Sequence, residues 1–330
     1  MRCAILALWA FVLMQGIPTQ GQNYQAPTFS VSVNLIKVPF SVFDEHGNMV
    51  TRLQREDFRL YEDSFPQQIR SFGLDTNPVS VVLVLDTSAT EKLELKKIKE
   101  AAEGFAGALS HDDRISIVTF DDEVNVILNW TDNMRLVHRA LHKIDSGVRT
   151  ALYDAMFTAA NDQLKEVEGR KAILLLTDCL NNQSSISFPD AARAIVNSQA
   201  TLYVVSKTTM VREEARRERR VIMLSDIYRR LFGDDNYIEE FFQRREAEMT
   251  DLAEKTGGRC FFPADYDQIR GIYDQIAQEL KSKYFLTYVS SQSKMPDSYH
   301  RIALEYLPVS SRITYRKGYY YEPSPVHFRH

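Results

Sequence analysis

Cysteine is scarce in this sequence, three in 330 residues, and Cys3 lies ahead of the apolar run that opens the chain. Only Cys179 and Cys260 are left beyond it. Two cysteines cannot build a disulfide framework, and a chain of this length has core enough without one. Positive charge is not in excess either: 40 Lys and Arg against 44 Asp and Glu leave a formal net charge of -4. That removes the electrostatic case for a nucleic-acid partner, which is met by a basic face. Beyond the N-terminus no apolar run is long enough to cross a bilayer, a span that takes about 20 residues. Catalytic signatures are missing as well. There is no GxSxG elbow, no P-loop and no HExxH, and no histidine is placed by sequence to activate Ser88. What remains is an ordinary globular balance, 44% hydrophobic and 25% charged, from which no enzyme is expected.

The N-terminus has a pattern of its own. Arg2 is followed by the apolar run Ala4 to Met14 and then by the small and polar stretch Gln15 to Gln22. A basic end, a short apolar middle and a polar exit are the layout of a secretory signal peptide. The mature chain is therefore expected to be secreted or periplasmic. Cys3 precedes the apolar run and so is not the modified cysteine of a lipoprotein.

Three zones follow. Val31, Val33 and Leu35, then Val38, Phe40 and Val42, alternate with polar neighbours as a half-buried strand does, and Phe58 to Asp63 is a second strand running into a turn. From Val79 the pattern changes. Val79–Leu85, Ala172–Thr177 and Leu202–Val205 are near-continuous apolar runs, as expected of strands buried on both faces of a parallel sheet. Helical spacing separates them at Leu93–Leu109, Met134–Ile144, Ala151–Val167 and Pro189–Asn197, and again at Tyr266–Leu280. This predicts a doubly wound, Rossmann-like α/β domain with a mainly parallel sheet. The third zone is β again, at Tyr284–Val289, Arg301–Tyr306 and Arg312–Tyr315. Neither flank has strands enough to stand alone, so the two are expected to pair as one small antiparallel unit. The organisation read from these patterns is a signal peptide over 1–22, an N-terminal β segment over 23–76 and an α/β domain over 77–283. A charged helical insertion occupies about 208–250, a C-terminal β segment 284–322 and a tail 323–330. The expected strand order keeps Cys179 and Cys260 on non-neighbouring strands, as two buried free thiols.

Candidate chemistry gathers at strand ends. The strand Val79–Leu85 runs into Asp86-Thr87-Ser88-Ala89-Thr90, which offers a carboxylate and two alternate hydroxyls. In an open α/β sheet ligands bind where strands end and the strand order reverses. Thr150 precedes a helix, and Asp178 ends the Ala172–Thr177 strand, so both fall at the same edge. Asp86, Ser88, Thr90, Thr150 and Asp178 are all oxygen donors. Hard oxygen ligands in a mostly hydroxyl and water shell suit Mg²⁺ or Mn²⁺, whereas Ca²⁺ usually wants more carboxylates. Such a shell leaves the metal under-neutralised, so an acidic side chain of a protein partner can complete it. Each residue also has a plainer role: Asp and Ser make turns, Thr150 a helix N-cap, Asp178 the cap of the next element.

These residues resemble those of a known family. Asp86-Thr87-Ser88-Ala89-Thr90 resembles the DxSxS of the metal-ion-dependent adhesion site of von Willebrand factor A domains. Thr150-Ala151-Leu152-Tyr153-Asp154-Ala155 resembles the family's second loop, and Leu176-Thr177-Asp178 its third. The resemblance implies metal contacts from Asp86, Ser88, Thr90 and Thr150, with Asp178 bound directly or through water. Two departures stand out. Thr90 replaces the usual serine and keeps the hydroxyl, and Cys179 stands where glycine is common. The flanks, Val42 to Asp63 and Tyr315-Arg316-Lys317-Gly318-Tyr319, are similar to a bacterial family described from acidobacteria as von Willebrand factor A-related proteins.

Two further features fall outside that resemblance. Glu213 to Arg220 interleaves acids and bases, a solvated helix face or a partner-docking surface. The rival to the metal reading is an assembly protein with a vestigial site that docks through Arg216, Arg217, Arg219 and Arg220. His138 and His142 have the i,i+4 spacing of zinc ligands, but no glutamate follows His138 and the sequence shows no third ligand. A solvated helix face is the expectation for them.

Overall fold

The computed structural model describes residues 35–88, 92–217, 236–291, 295–308 and 311–321. The expected signal peptide, Val31, Val33, Thr90, the tail, and Arg219 and Arg220 of the charged insertion lie outside the described residues, as do the side chains of Arg216 and Arg217.

The centre of the α/β part is β5 (Val79–Asp86), every residue of which is buried. A strand this apolar is stable only with both faces covered. Around it run β6 (Arg114–Phe120), β7 (Val124–Thr131), β8 (Arg170–Thr177), β9 (Thr201–Ser206) and β10 (Arg259–Phe261). They form a six-stranded sheet in the order β10-β9-β8-β5-β6-β7. All neighbours are parallel except β6 and β7, which pair antiparallel at the edge. The helices divide between the two faces. One core layer takes α1 (Lys92–Ala108), α2 (Met134–His142) and α7 (Tyr266–Lys281), through Ile98, Phe105, Leu141, Tyr273 and Ile276. The other takes α3 (Leu152–Phe157), α4 (Phe188–Ser198) and α6 (Asn236–Lys255), through Leu152, Met156, Ile195, Met249 and Leu252. A further helix, α5 (Thr208–Arg217), follows β9. This is the mainly parallel, doubly wound sheet that the apolar runs predict.

One predicted helix differs. The spacing over Ala151–Val167 predicts a continuous helix, yet α3 ends at Phe157 and the chain goes on as a wider π turn over Thr158–Gln163. There Gln163 Oε1 accepts a hydrogen bond from Ser116 Oγ of β6 at 2.8 Å.

The flanks combine more extensively than expected. The N-terminal flank supplies β1 (Leu35–Phe43), β2 (Phe58–Glu62), β3 (Phe65–Pro66) and β4 (Ile69–Leu74). The C-terminal flank supplies β11 (Tyr284–Val289), β12 (Tyr299–Tyr306), β13 (Arg312–Tyr315) and β14 (Gly318–Tyr320). They form two four-stranded sheets, β13-β1-β11-β4 and β14-β12-β2-β3. The pairs β1 with β11, β1 with β13 and β12 with β2 are antiparallel and join the two flanks. The sheets share one core of Val38, Phe40, Phe58, Leu60, Leu286, Tyr288, Ile302 and Leu304, with the Phe40 and Phe58 rings 4.9 Å apart. Neither flank contains a complete sheet, which is why both ends of the chain are needed. The buried Glu62 carboxylate accepts hydrogen bonds from the hydroxyls of Tyr288, at 3.1 Å, and of Tyr319 and Ser290.

A buried ionic knot lies where α7 hands over to β11. Glu279 accepts from Tyr203 (2.8 Å) and from Arg259 (2.9 Å), and Lys283 Nζ sits 3.4 Å from it while donating to Gly257 O and Tyr203 Oη. Strands β9 and β10, helix α7 and the start of β11 are thereby joined through one carboxylate. No helix among the described residues is long and apolar enough to cross a membrane.

Candidate functional site

The chain runs from β5 to β6 on one side and returns from β7 to β8 on the other, so the strand order reverses between β5 and β8. A crevice opens at the carboxyl ends of strands at such a point. Asp86 is the last residue of β5, and Asp178 follows the last residue of β8.

Four of the five expected residues lie among those described, and they form a continuous set. Asp86 is fully buried, and Ser88 and Thr150 are nearly so. Asp86 Oδ1 accepts from Ser88 N at 3.0 Å and from Ser88 Oγ at 2.5 Å. Thr150 Oγ1 donates to Ser88 Oγ at 3.0 Å. Asp178 N donates to the other oxygen, Asp86 Oδ2, at 3.3 Å. Thr150 is not the N-cap of α3: that position is Ala151, and no side chain caps it. The turn role holds for Asp86, whose Oδ1 takes the Ser88 N–H two residues on. Asp178 does not cap the next element, since the N-cap of α4 is Ser187; its Oδ1 accepts from Leu180 N at 2.9 Å, with the side chain half-buried at the crevice.

The loops carrying these groups are fixed to one another. Ser88 bridges to Gly147, and Gly147 N donates to Thr87 O at 3.1 Å. A Cβ on Gly147 would lie 2.4 Å from that of Asp121, so glycine lets the second loop pass Asp121 at the end of β6 and still pair with the first. Thr87 Oγ1 in turn donates to Asp121 Oδ2 at 3.2 Å. The second and third loops are tied by Thr150 O, which accepts from Asn182 N and Gln183 N, and by Asn182 Oδ1, which accepts from Thr150 N at 2.9 Å. Asp154 completes the clamp by accepting from Ser185 N (3.0 Å) and Ile186 N (2.8 Å). The Thr-Ala-Leu-Tyr-Asp string thus places one hydroxyl at the site and uses its aspartate to hold the neighbouring loop.

Cys179 adopts a left-handed backbone, φ 63°, and is fully buried. Glycine takes that conformation without the steric cost a Cβ brings, which accounts for its being common there. The thiol packs against Ser206 Oγ at 3.5 Å and is unpaired with Cys260, as β9 separates their strands. Both are free, as expected, but Cys260 is half-buried where a buried thiol is expected.

Lys207 stands outside the set of residues that the sequence predicts. It follows the last residue of β9 at the same sheet edge, is almost wholly buried, and places Nζ 3.5 Å from Asp86 Oδ2. Burial alone would depress its pKa, but the charges of Asp86 and Asp178 outweigh that and hold the ammonium above its ordinary value. Asp178 is pushed up to about 6 by burial and by the Asp86 charge, which Lys207 partly offsets. The sequence marks only its place directly after a buried strand, at the edge carrying both aspartates; its approach to Asp86 depends on the order of the strands. Two residues before Thr150, Val148 is 78% exposed, and Arg149 donates to Gln183 Oε1 at 3.0 Å.

The family model for the von Willebrand factor type A domain matches residues 81–181. An uncharacterized protein of the cyanobacterium Synechocystis, sll0103, is 29% identical over 105 residues, 31% of this chain and 25% of that protein. The matching region thus spans about a quarter of the length of this curated relative. Among solved structures the chain is similar to a von Willebrand factor type A protein from Catenulispora acidiphila, at 10% identity and TM-score 0.41, over 88% of this chain and 74% of that one. It is also similar to proximal thread matrix protein 1 of the mussel byssus with a zinc-occupied MIDAS motif, at 13% identity and TM-score 0.46, over 68% and 50% of the two chains. The matched stretch 81–181 takes in β5, β6, β8 and all three loops that bring Asp86, Thr150 and Asp178 together, and the chain therefore carries a von Willebrand factor type A domain.

Proposed function

We propose that this protein is an exported binding module that grips a protein partner through a divalent cation held at the carboxyl ends of β5 and β8. The observation that carries this reading is the convergence of Asp86, Ser88 and Thr150 into one hydrogen-bonded set of oxygens, with the Asp178 backbone on the second oxygen of Asp86. Three separate loops supply only oxygen donors at a buried point where an α/β sheet opens. That donor chemistry fits a hard cation, Mg²⁺ or Mn²⁺. Asp86, Ser88, Thr150 and Asp178 would hold the ion, with Thr90 as the expected fifth donor. When bound, the cation supplies a Lewis-acidic position that an acidic side chain of the partner can occupy. Val148, exposed two residues before Thr150 in the same loop, would offer such a partner apolar area. We read the site as one for binding and not for catalysis. Export rests on the layout of residues 1–22.

The test is calorimetric titration of Mg²⁺ and Mn²⁺ into chelator-treated protein, beside Asp86→Ala. Saturable binding that disappears in the variant is expected. Equal binding by both proteins, or none by either, would overturn the metal mechanism.

A further inference from the structure

The histidine pair on α2 has a third group beside it that the sequence did not place there. Asn133 caps α2 by accepting from Arg135 N at 3.0 Å, which sets the helix register. His138 and His142, one turn apart, then turn their Nε2 atoms toward each other, 3.0 Å apart. Glu103 reaches across from α1, its Oε1 3.7 Å from His138 Nε2 and 3.6 Å from His142 Nε2. The three candidate ligand atoms all lie within 4.8 Å of one another. Zinc binds imidazole nitrogen and carboxylate oxygen at about 2.0–2.2 Å, so tetrahedral ligand atoms stand about 3.3–3.5 Å from one another. The observed separations straddle that figure, and shifts of a few tenths of an ångström would complete the geometry.

The surroundings leave the three groups available. Lys99, a turn before Glu103 on α1, donates to Ile144 O at 2.7 Å, and Lys96 pairs with Glu100. Among the described residues, no lysine or arginine pairs with Glu103. The side chains of His138 and His142 are 58% and 60% exposed and that of Glu103 29%, so an ion would be reached from solvent and would keep an open position. Two imidazoles and one carboxylate select a borderline transition ion, unlike the all-oxygen set at the sheet edge.

We propose that Glu103, His138 and His142 form a second, solvent-facing metal site that binds Zn²⁺ and staples α1 to α2, with its fourth position left to water or to a side chain of another molecule. The site is independent of the strand-edge cation, and its test separates the two. Zn²⁺ and Co²⁺ would be titrated into the chelator-treated full chain carrying Asp86→Ala, which silences the sheet-edge site. One saturable equivalent of Zn²⁺ is expected, with a Zn²⁺-dependent rise in the melting temperature and, for Co²⁺, the visible absorption of a tetrahedral complex. Adding His142→Ala should weaken binding at least a hundredfold, and adding Glu103→Gln at least tenfold, with both variants keeping the circular dichroism of the parent. Absence of saturable Zn²⁺ binding in Asp86→Ala would overturn the site. So would binding that His142→Ala leaves unchanged, or binding that needs the histidines but is indifferent to Glu103→Gln.

Discussion

Lys207 Nζ stands 3.5 Å from Oδ2 of Asp86, with 4% and 0% of the two side chains exposed. The pair puts a tethered cation against the carboxylate at the head of the proposed metal site. Asp86, Asp178 and Lys207 together carry a net charge of about -1 when all are ionised, where the two aspartates alone would carry -2. The ammonium therefore steadies the crevice and would at the same time lower its pull on a divalent ion.

Replacing Lys207 by methionine, which keeps the length and removes the charge, separates these effects. Unit charges 4 Å apart at an effective dielectric constant of 20 interact by about 4 kcal/mol. A conservative third of that predicts Mg²⁺ affinity at least about tenfold tighter in Lys207→Met. The metal-free variant should be less stable by about 3 kcal/mol, the scale for removing one partner of a buried pair. Calorimetry and urea unfolding with and without Mg²⁺ read both. Weaker Mg²⁺ binding in the variant would show that Lys207 supports the loaded site and does not oppose it.

The left-handed backbone at Cys179 reverses a usual ranking. Cys179→Ala and Cys179→Gly both remove the buried thiol, but only glycine releases the strain of a Cβ at φ 63°. Glycine should therefore be more stable than alanine here by about 1 kcal/mol, although alanine is normally the better of the two. Paired urea denaturation curves decide it, and an alanine variant equal to or above the glycine variant contradicts the strain argument.

Thiol reactivity should be low at both described cysteines. Burial pushes Cys260 up to about 12 from an ordinary 9, and Cys179 is also raised well above 9 by burial. Only the thiolate reacts, and a thiol held up near 12 is almost wholly protonated at pH 8. Peptide-resolved iodoacetamide labelling of the native protein should be slow at both positions, rise with pH at Cys260 through the alkaline range, and become fast on denaturation. Native labelling of Cys260 at the rate of a free cysteine near pH 8 would contradict this environment.

Much of the sheet and the strand-edge chemistry is legible in the order of residues. The apolar strings of β5, β8 and β9 have a single stable solution, burial on both faces of a parallel sheet, and that solution puts whatever follows each string at one edge. Asp86 and Asp178 follow two of those strings, and Thr150 stands just before a helix, so their meeting could be foreseen from local pattern alone. Cys179 could be marked as a departure, but not as a strained one, because φ is set by how the third loop closes.

The remaining features depend on groups far apart in the chain. Lys207 reads locally as a solvated turn residue, and only the adjacency of β9 to β8, and of β8 to β5, brings its charge to Asp86. Glu103 reads as one more exposed acid on α1 until the packing of α1 beside α2 sets it at His138 and His142. The two flanks predicted a joint β unit, but two four-stranded sheets with a common core require each flank to complete the other's hydrogen bonds. Sequence by itself determined the burial pattern, hence the sheet and the edge where its oxygen donors meet, because apolar periodicity is a property of neighbours along the chain. Which charges face which donors was decided only by the tertiary structure, because Coulomb and coordination energies depend on distances of a few ångströms that chain order leaves open.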